Sequence, residues 1–108
     1  MFLADYHMHS RVSPDAENTM ADMAAAALAH GMREICFTDH VEVRKALKPT
    51  PGDYELFPEP PDAMRQIVEA FAEAQPLLPD GLTVRVGMEL GEAHHDPEAA
   101  ALAARQSW

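Results

Sequence analysis

At 108 residues the chain has the size of one modest domain, with enough length for a single core and no room for two. Eighteen acidic residues against eight basic ones give a formal net charge of −10. No basic stripe is present, which argues against nucleic acid or an anionic membrane as a partner, whereas an acidic chain is a suitable host for divalent cations.

The first ten residues, Met1-Phe2-Leu3-Ala4-Asp5-Tyr6-His7-Met8-His9-Ser10, organise everything that follows. A strand over Phe2 to His9 alternates its side chains between two faces, so His7 and His9 point the same way. Two imidazoles on one face at a strand end are half of a metal site. The polar segment Ser10 to Asn18 contains Ser13-Pro14-Asp15 and reads as a turn. Thr19 with Asp22 forms a start resembling a capping box. Met20, Met23, Ala24, Ala27 and Leu28 then recur at helical spacing, and Gly31 ends the helix in the left-handed conformation. His30, at the helix C-terminus, is placed to interact with the helix dipole.

Ile35-Cys36-Phe37-Thr38 is short, continuous and apolar, as expected of a parallel strand buried on both faces. The only cysteine, Cys36, therefore reads as a buried, inert thiol, and one cysteine leaves no internal disulfide. This usage suits a reducing cytoplasm, where the protein is expected to reside. No secretory leader is visible, and the apolar-leaning stretch Met20 to Met32 carries Asp22 and His30 and is too short to cross a bilayer. Asp39 and His40 follow the strand directly.

Val41 to Pro60 holds five prolines and glycines without periodicity and reads as a long loop over the strand ends. Its Arg44, Lys45 and Lys48 are a candidate phosphate contact, against the simpler reading of a solvated loop. Pro61 and Asp62 open a second helix with Met64, Ile67, Val68 and Phe71 inward, and Pro76 closes it. Pro79-Asp80-Gly81 is a turn, Leu82 to Glu89 a third strand, and Asp96-Pro97-Glu98 the cap and first turn of a third helix through Ala99 to Arg105. His94 and His95 stand just before that cap. The order β-α-β-loop-α-β-α predicts an α/β fold with a parallel sheet. Its strands end in His-x-His, Asp-His and Glu, on the rim where such sheets bind ligands. Imidazole with carboxylate suits zinc, manganese or iron.

Asp5-Tyr6-His7-Met8-His9-Ser10 with Ser13-Pro14-Asp15, then Phe37-Thr38-Asp39-His40, then Gly87-Met88-Glu89, resemble the first three motifs of the PHP (polymerase and histidinol phosphatase) superfamily, and most of all its histidinol-phosphatase branch. The resemblance covers nearly the whole chain. It implies that residues 1–108 are a single PHP-type domain, the β-α-β-α-β-α portion of a distorted, TIM-like (β/α)7 barrel with parallel strands. It also implies up to three divalent metal ions (Zn, Mn or Fe). Carried over, His7 and His9 hold one metal, Glu89 bridges it to a second, and Asp15 and His40 help to hold the third. Asp39 is assigned no ligand role and is expected to orient His40 from behind.

The implied reaction is hydrolysis of a small phosphorylated substrate, L-histidinol phosphate, in histidine biosynthesis. A PHP-type nucleotide phosphatase or exonuclease and a catalytically incomplete metal-binding chain are the alternatives. Members of the branch run to about twice this length or more and supply further ligands from later strands. The chain is accordingly expected to be an N-terminal portion of a longer protein, with an unpaired barrel edge open to self-association.

Overall fold

Alternation along residues 34–43 sets the architecture. Ile35, Phe37, Asp39, Val41 and Val43 are buried, while Glu34, Cys36, Thr38, His40 and Glu42 between them are only half-buried. A strand with period two has one packed side and one open side. The structure, a computed structural model, describes residues 1–43 and 58–105. Within them the order is β1 (Ala4–Met8), α1 (Met20–Ala29), β2 (Glu34–Phe37), β3 (His40–Glu42), α2 (Pro60–Ala74), β4 (Thr83–Val86), β5 (Glu89–Gly91) and α3 (Pro97–Ala104), with 3₁₀ turns at Gln75–Leu77 and Ala93–His95.

The strands are parallel, as expected, in the order β1-β2-β4, with β3 and β5 as a second parallel pair. Each of the two later expected strands is in fact two segments in line. Phe37 pairs with Val86, and three residues further along both strands His40 pairs with Glu89. Backbone bonds from Gly87 N to Phe37 O (2.8 Å) and from Glu89 N to Asp39 O (3.0 Å) carry the ladder across the break. Val41 and Glu42, expected in a loop, thus belong to a strand, because pairing with Leu90 and Gly91 satisfies their backbone. The expected basic loop positions Arg44, Lys45 and Lys48 lie outside the described residues.

All three helices begin near their sequence signals. Thr19 Oγ1 accepts from the Asp22 N–H at 3.1 Å, and Asp96 Oδ1 from the Ala99 N–H at 3.1 Å, so each cap satisfies a donor that the first turn leaves unpaired. Gly31 takes φ +88° just past α1, the left-handed stop that a side chain would resist.

The core joins Met20 and Ala24 of α1, Ile35, Phe37 and Val41 of the strands, and Ala63, Ile67 and Ala74 of α2. Burying each large side chain here contributes about 1.5–3 kcal/mol. Met64 and Phe71 pack against this cluster, but Val68 is half-exposed, since α2 turns only a narrow stripe inward. Cys36 corrects the expectation of a strand covered on both faces. Ile35 and Phe37 take the helix side, so the thiol stands half-buried on the open side, and partial burial pushes its pKa up.

Candidate metal centre at the strand ends

The site begins with an irregularity in β1. Asp5 pairs with Ile35 and Met8 with Phe37, so three steps along β1 match two along β2. This is a bulge, with one extra residue on the edge strand. Asp5 sustains it, its Oδ1 accepting from the His7 N–H at 3.0 Å in the local turn that aspartate forms readily. The bulge sends Asp5 and Met8 to the helix side, where Met8 packs against the core. Strict alternation would have kept Asp5 on the side of His7 and His9. Past the bulge, alternation resumes, and the rings of His7 and His9 lie 5.2 Å apart, centroid to centroid.

Register supplies the partners. Pairing of His40 with Glu89 sets these two side chains next to each other on the open side. Glu89 Oε2 then lies 2.9 Å from His7 Nε2, 2.7 Å from His9 Nε2 and 3.9 Å from His40 Nε2. The other nitrogen of His9, Nδ1, is 3.0 Å from Asp15 Oδ2, and the same oxygen is 3.1 Å from His40 Nε2. The His9 and His40 rings meet edge to face with centroids 4.4 Å apart. All five side chains singled out from the sequence, His7, His9, Asp15, His40 and Glu89, therefore converge.

Asp15 arrives on a turn, and Asp39 holds that turn. The fully buried Asp39 carboxylate accepts from the Ser10 N–H (2.7 Å), the Ser10 hydroxyl (2.8 Å) and the Ser13 hydroxyl (2.7 Å). Three donors to one carboxylate compensate for the loss of water around it. Ser13 Oγ also accepts from the His40 N–H at 2.9 Å. Asp39, expected to orient His40, thus reaches it through Ser13 and acts mainly on the segment that carries Asp15. The His40 ring is steadied by Glu42, whose Oε1 lies 2.9 Å from His40 Nδ1. Glu42 is paired with Gly91, and a Cβ at position 91 would collide with the Glu42 carboxylate. Gly91 is small so that Glu42 can lie there.

From the sequence, Asp5, Ser10 and Ser13 belonged only to motifs and a turn, and Glu42 to a loop, with no part in the site assigned to any of them. His40-Val41-Glu42 is the signal that was available, since period two puts His40 and Glu42 on one face once the segment is known to be a strand.

Electrostatics follow the contacts. Both ring nitrogens of His40 face carboxylate oxygens. Its burial opposes the charged form, but Asp15 and Glu42 outweigh that and hold its pKa above the usual imidazole value. For Asp15, partial burial is likewise overridden by the hydrogen bonds of His9 and His40, and its carboxyl lies below the usual range. The His7 contact first, with that of His9 against some burial, holds Glu89 low as well. Imidazole nitrogens crowded against carboxylate oxygens are held together either by protons or by a cation that takes their place. Two overlapping groups have ligand atoms all within 4.8 Å of one another, His7–His9–Glu89 and His9–Asp15–His40. The donor set suits a borderline divalent ion such as zinc.

A parallel α/β protein that gathers three imidazoles and two carboxylates at one rim belongs to a recognisable class, and comparison with known proteins gives the family. The chain belongs to the PHP domain family, whose pattern matches residues 5–107. It is 34% identical over 88 residues to a histidinol-phosphatase of Lactococcus lactis subsp. lactis (strain IL1403), covering 81% of this chain and 29% of that protein. The crystal structure of a histidinol phosphate phosphatase from the same organism, complexed with zinc, L-histidinol and phosphate, superimposes with a TM-score of 0.60 at 28% identity. That match covers 95% of this chain and 36% of the other. The chain thus spans about a third of the length of these relatives.

Proposed function

We propose that this chain forms the first part of a metal-dependent phosphomonoester hydrolase of the histidinol-phosphatase type, which converts L-histidinol phosphate and water to L-histidinol and phosphate in cytoplasmic histidine biosynthesis. The observation that carries the proposal is the single oxygen Glu89 Oε2 shared by His7 and His9, with His40 and Asp15 alongside. Likeness to a relative crystallised with zinc, L-histidinol and phosphate supports it.

In this reading residues 1–108 are one PHP-type domain. The sheet order β1-β2-β4, parallel and in chain order, supports reading it as the first units of a (β/α)7 barrel. Further strands and ligands come from the rest of a longer protein, in keeping with the 29% and 36% coverage of the relatives. Such strands would also cover the β1 and β4 edges, which are otherwise open to self-association.

His7, His9 and Glu89 would hold one ion, and Glu89 would be shared with a second. Asp15 and His40 would help to hold a third ion, and Asp15 also fixes the ring of His9 through Nδ1. With a metal bound, Glu42 would accept the Nδ1 proton of His40 and leave Nε2 free to ligate. Asp39 keeps the Ser10–Ser13 turn, and with it Asp15, in place. Divalent ions held there would polarise phosphoryl oxygens and lower the pKa of bound water towards neutrality. The acidic charge of the chain weighs against a polynucleotide substrate. Among the described residues no helix is long and apolar enough to cross a membrane.

A catalytically incomplete metal-binding chain is the second reading, favoured by the fractional coverage. Phosphate release from histidinol phosphate with added Mn²⁺ or Zn²⁺ separates the two. The first reading expects turnover when the longer protein is assayed, and loss of metal on His7→Ala with His9→Ala; metal binding without turnover in that longer protein would leave the second. Equal metal content in wild type and double variant would remove the assigned centre.

A further inference from the structure

Beyond β5 lies a cluster that the proposed reaction does not use. Glu92, at φ 57° and ψ 28°, is the only non-glycine residue with positive φ among the described residues. It turns the chain into the 3₁₀ segment Ala93–His95, and the His95 N–H bonds back to Glu92 O at 2.9 Å. This turn folds one carboxylate oxygen, Glu92 Oε2, against both following histidines, 2.7 Å from His95 Nε2 and 3.6 Å from His94 Nε2. The longer distance exceeds a hydrogen bond but lies within the span of a shared ion. The two rings lie with centroids 4.1 Å apart, and the three ligand atoms all lie within 4.8 Å of one another.

We propose that Glu92, His94 and His95 form a second, separate site for a borderline divalent cation of the Zn²⁺, Ni²⁺ or Cu²⁺ kind. Two imidazoles and one carboxylate repeat the donor set of His7, His9 and Glu89, and such a set leaves coordination positions free for water or an oxyanion. Mg²⁺ and Ca²⁺ do not suit it, since they prefer a shell of oxygens.

Preorganisation supports the assignment. All three donors come from four consecutive residues, so no long loop has to be closed around the ion. The turn is anchored on both sides. Upstream, the Val43 N–H bonds to Gly91 O at 2.9 Å, and downstream Asp96 caps α3. The cluster begins three residues after Glu89, so the ion would sit beyond the same strand end, with His94 as its outermost, most exposed ligand.

Zn²⁺ equivalents bound after dialysis, together with Cu²⁺ electron paramagnetic resonance, test this site independently of the centre at Glu89. His94→Ala with His95→Ala should lower the wild-type stoichiometry by one equivalent, and Glu92→Gln should weaken that equivalent at least tenfold. In a His7→Ala, His9→Ala, His40→Ala background, checked for folding by circular dichroism, one ion should remain and its Cu²⁺ signal should show coupling to two nitrogens. Adding the His94 and His95 changes should abolish both. Unchanged stoichiometry and affinity in the His94/His95 variant of the wild type would overturn the proposal. If instead that variant loses an ion while His7→Ala, His9→Ala loses none, the second site stands and the centre at Glu89 falls.

Discussion

The two sides of β2 and β3 are made by alternate residues of one stretch, yet they do different work. On the helix side, Ile35, Phe37, Val41 and Val43 are fully buried and hold the layers together. On the open side, Glu34, Cys36, Thr38, His40 and Glu42 are half-buried and mostly polar, and the end nearest Glu89 carries the candidate centre. Asp39 breaks the pattern, a carboxylate among the buried residues. It does so because its partners Ser10 and Ser13 fold over that side. A single strand can thus separate stability from chemistry by parity alone, with one buried polar residue linking the two. Substitutions on the two sides should therefore fail in different ways.

The largest loss of stability is expected from Phe37→Ala on the helix side. It should cost about 3–5 kcal/mol, read from urea unfolding, and a cost below about 1 kcal/mol would deny Phe37 its central place in the core. Asp39→Asn comes next. It keeps the shape but weakens charge-assisted bonds to Ser10 and Ser13, at about 2 kcal/mol. Because the turn carries Asp15, this variant alone should lose stability and metal affinity together, a link that separate titrations of the two properties can break.

Glu42→Ala, on the open side, should barely alter unfolding and yet lower metal affinity about 10- to 100-fold. Glu42→Gln, which still accepts from His40 Nδ1, should keep most of that affinity. If Ala and Gln behave alike in isothermal titration, Glu42 does not act through the ring.

Smallest is the pH effect on the metal-free chain, measured as melting temperature in chelator. His40 has a raised pKa in the folded state, so its contribution is complete below about 6.5 and disappears as pH rises through the folded value. Asp15 and Glu89 have lowered values, so theirs is present above about 4 and is lost as pH falls through the folded values. Stability should therefore peak between about pH 4.5 and 6.5, and saturating Zn²⁺ should extend it upward, since deprotonated imidazole is the ligand. A melting temperature flat from pH 6 to 8 without metal would show that the His40 contacts add nothing.

Much of this was legible in the chain. Apolar periodicity marked α1 and α2, Thr19 and Asp96 marked two helix starts, and Gly31 a stop, because caps and left-handed turns depend on a few local residues. The motifs around His7, Asp39 and Glu89 placed ionisable groups at strand ends, and the family match agrees with the resemblance read from them. Tertiary structure decided the rest. Whether His40-Val41-Glu42 is loop or strand depends on Leu90 and Gly91, about 50 residues away, which local pattern does not report. Hence Glu42 behind His40, and its close approach to Gly91, were invisible. The bulge at Asp5 is a matter of register between two strands, and so is the side to which Asp5 points. Asp39 looked like a neighbour for His40 from its position alone, but burial required donors for its carboxylate, and only the folded turn brought Ser10 and Ser13 to supply them. By itself the sequence determined which side chains carry ligand chemistry and where the elements begin. Pairing register, which depends on contacts far apart in the chain, decided which of those residues meet.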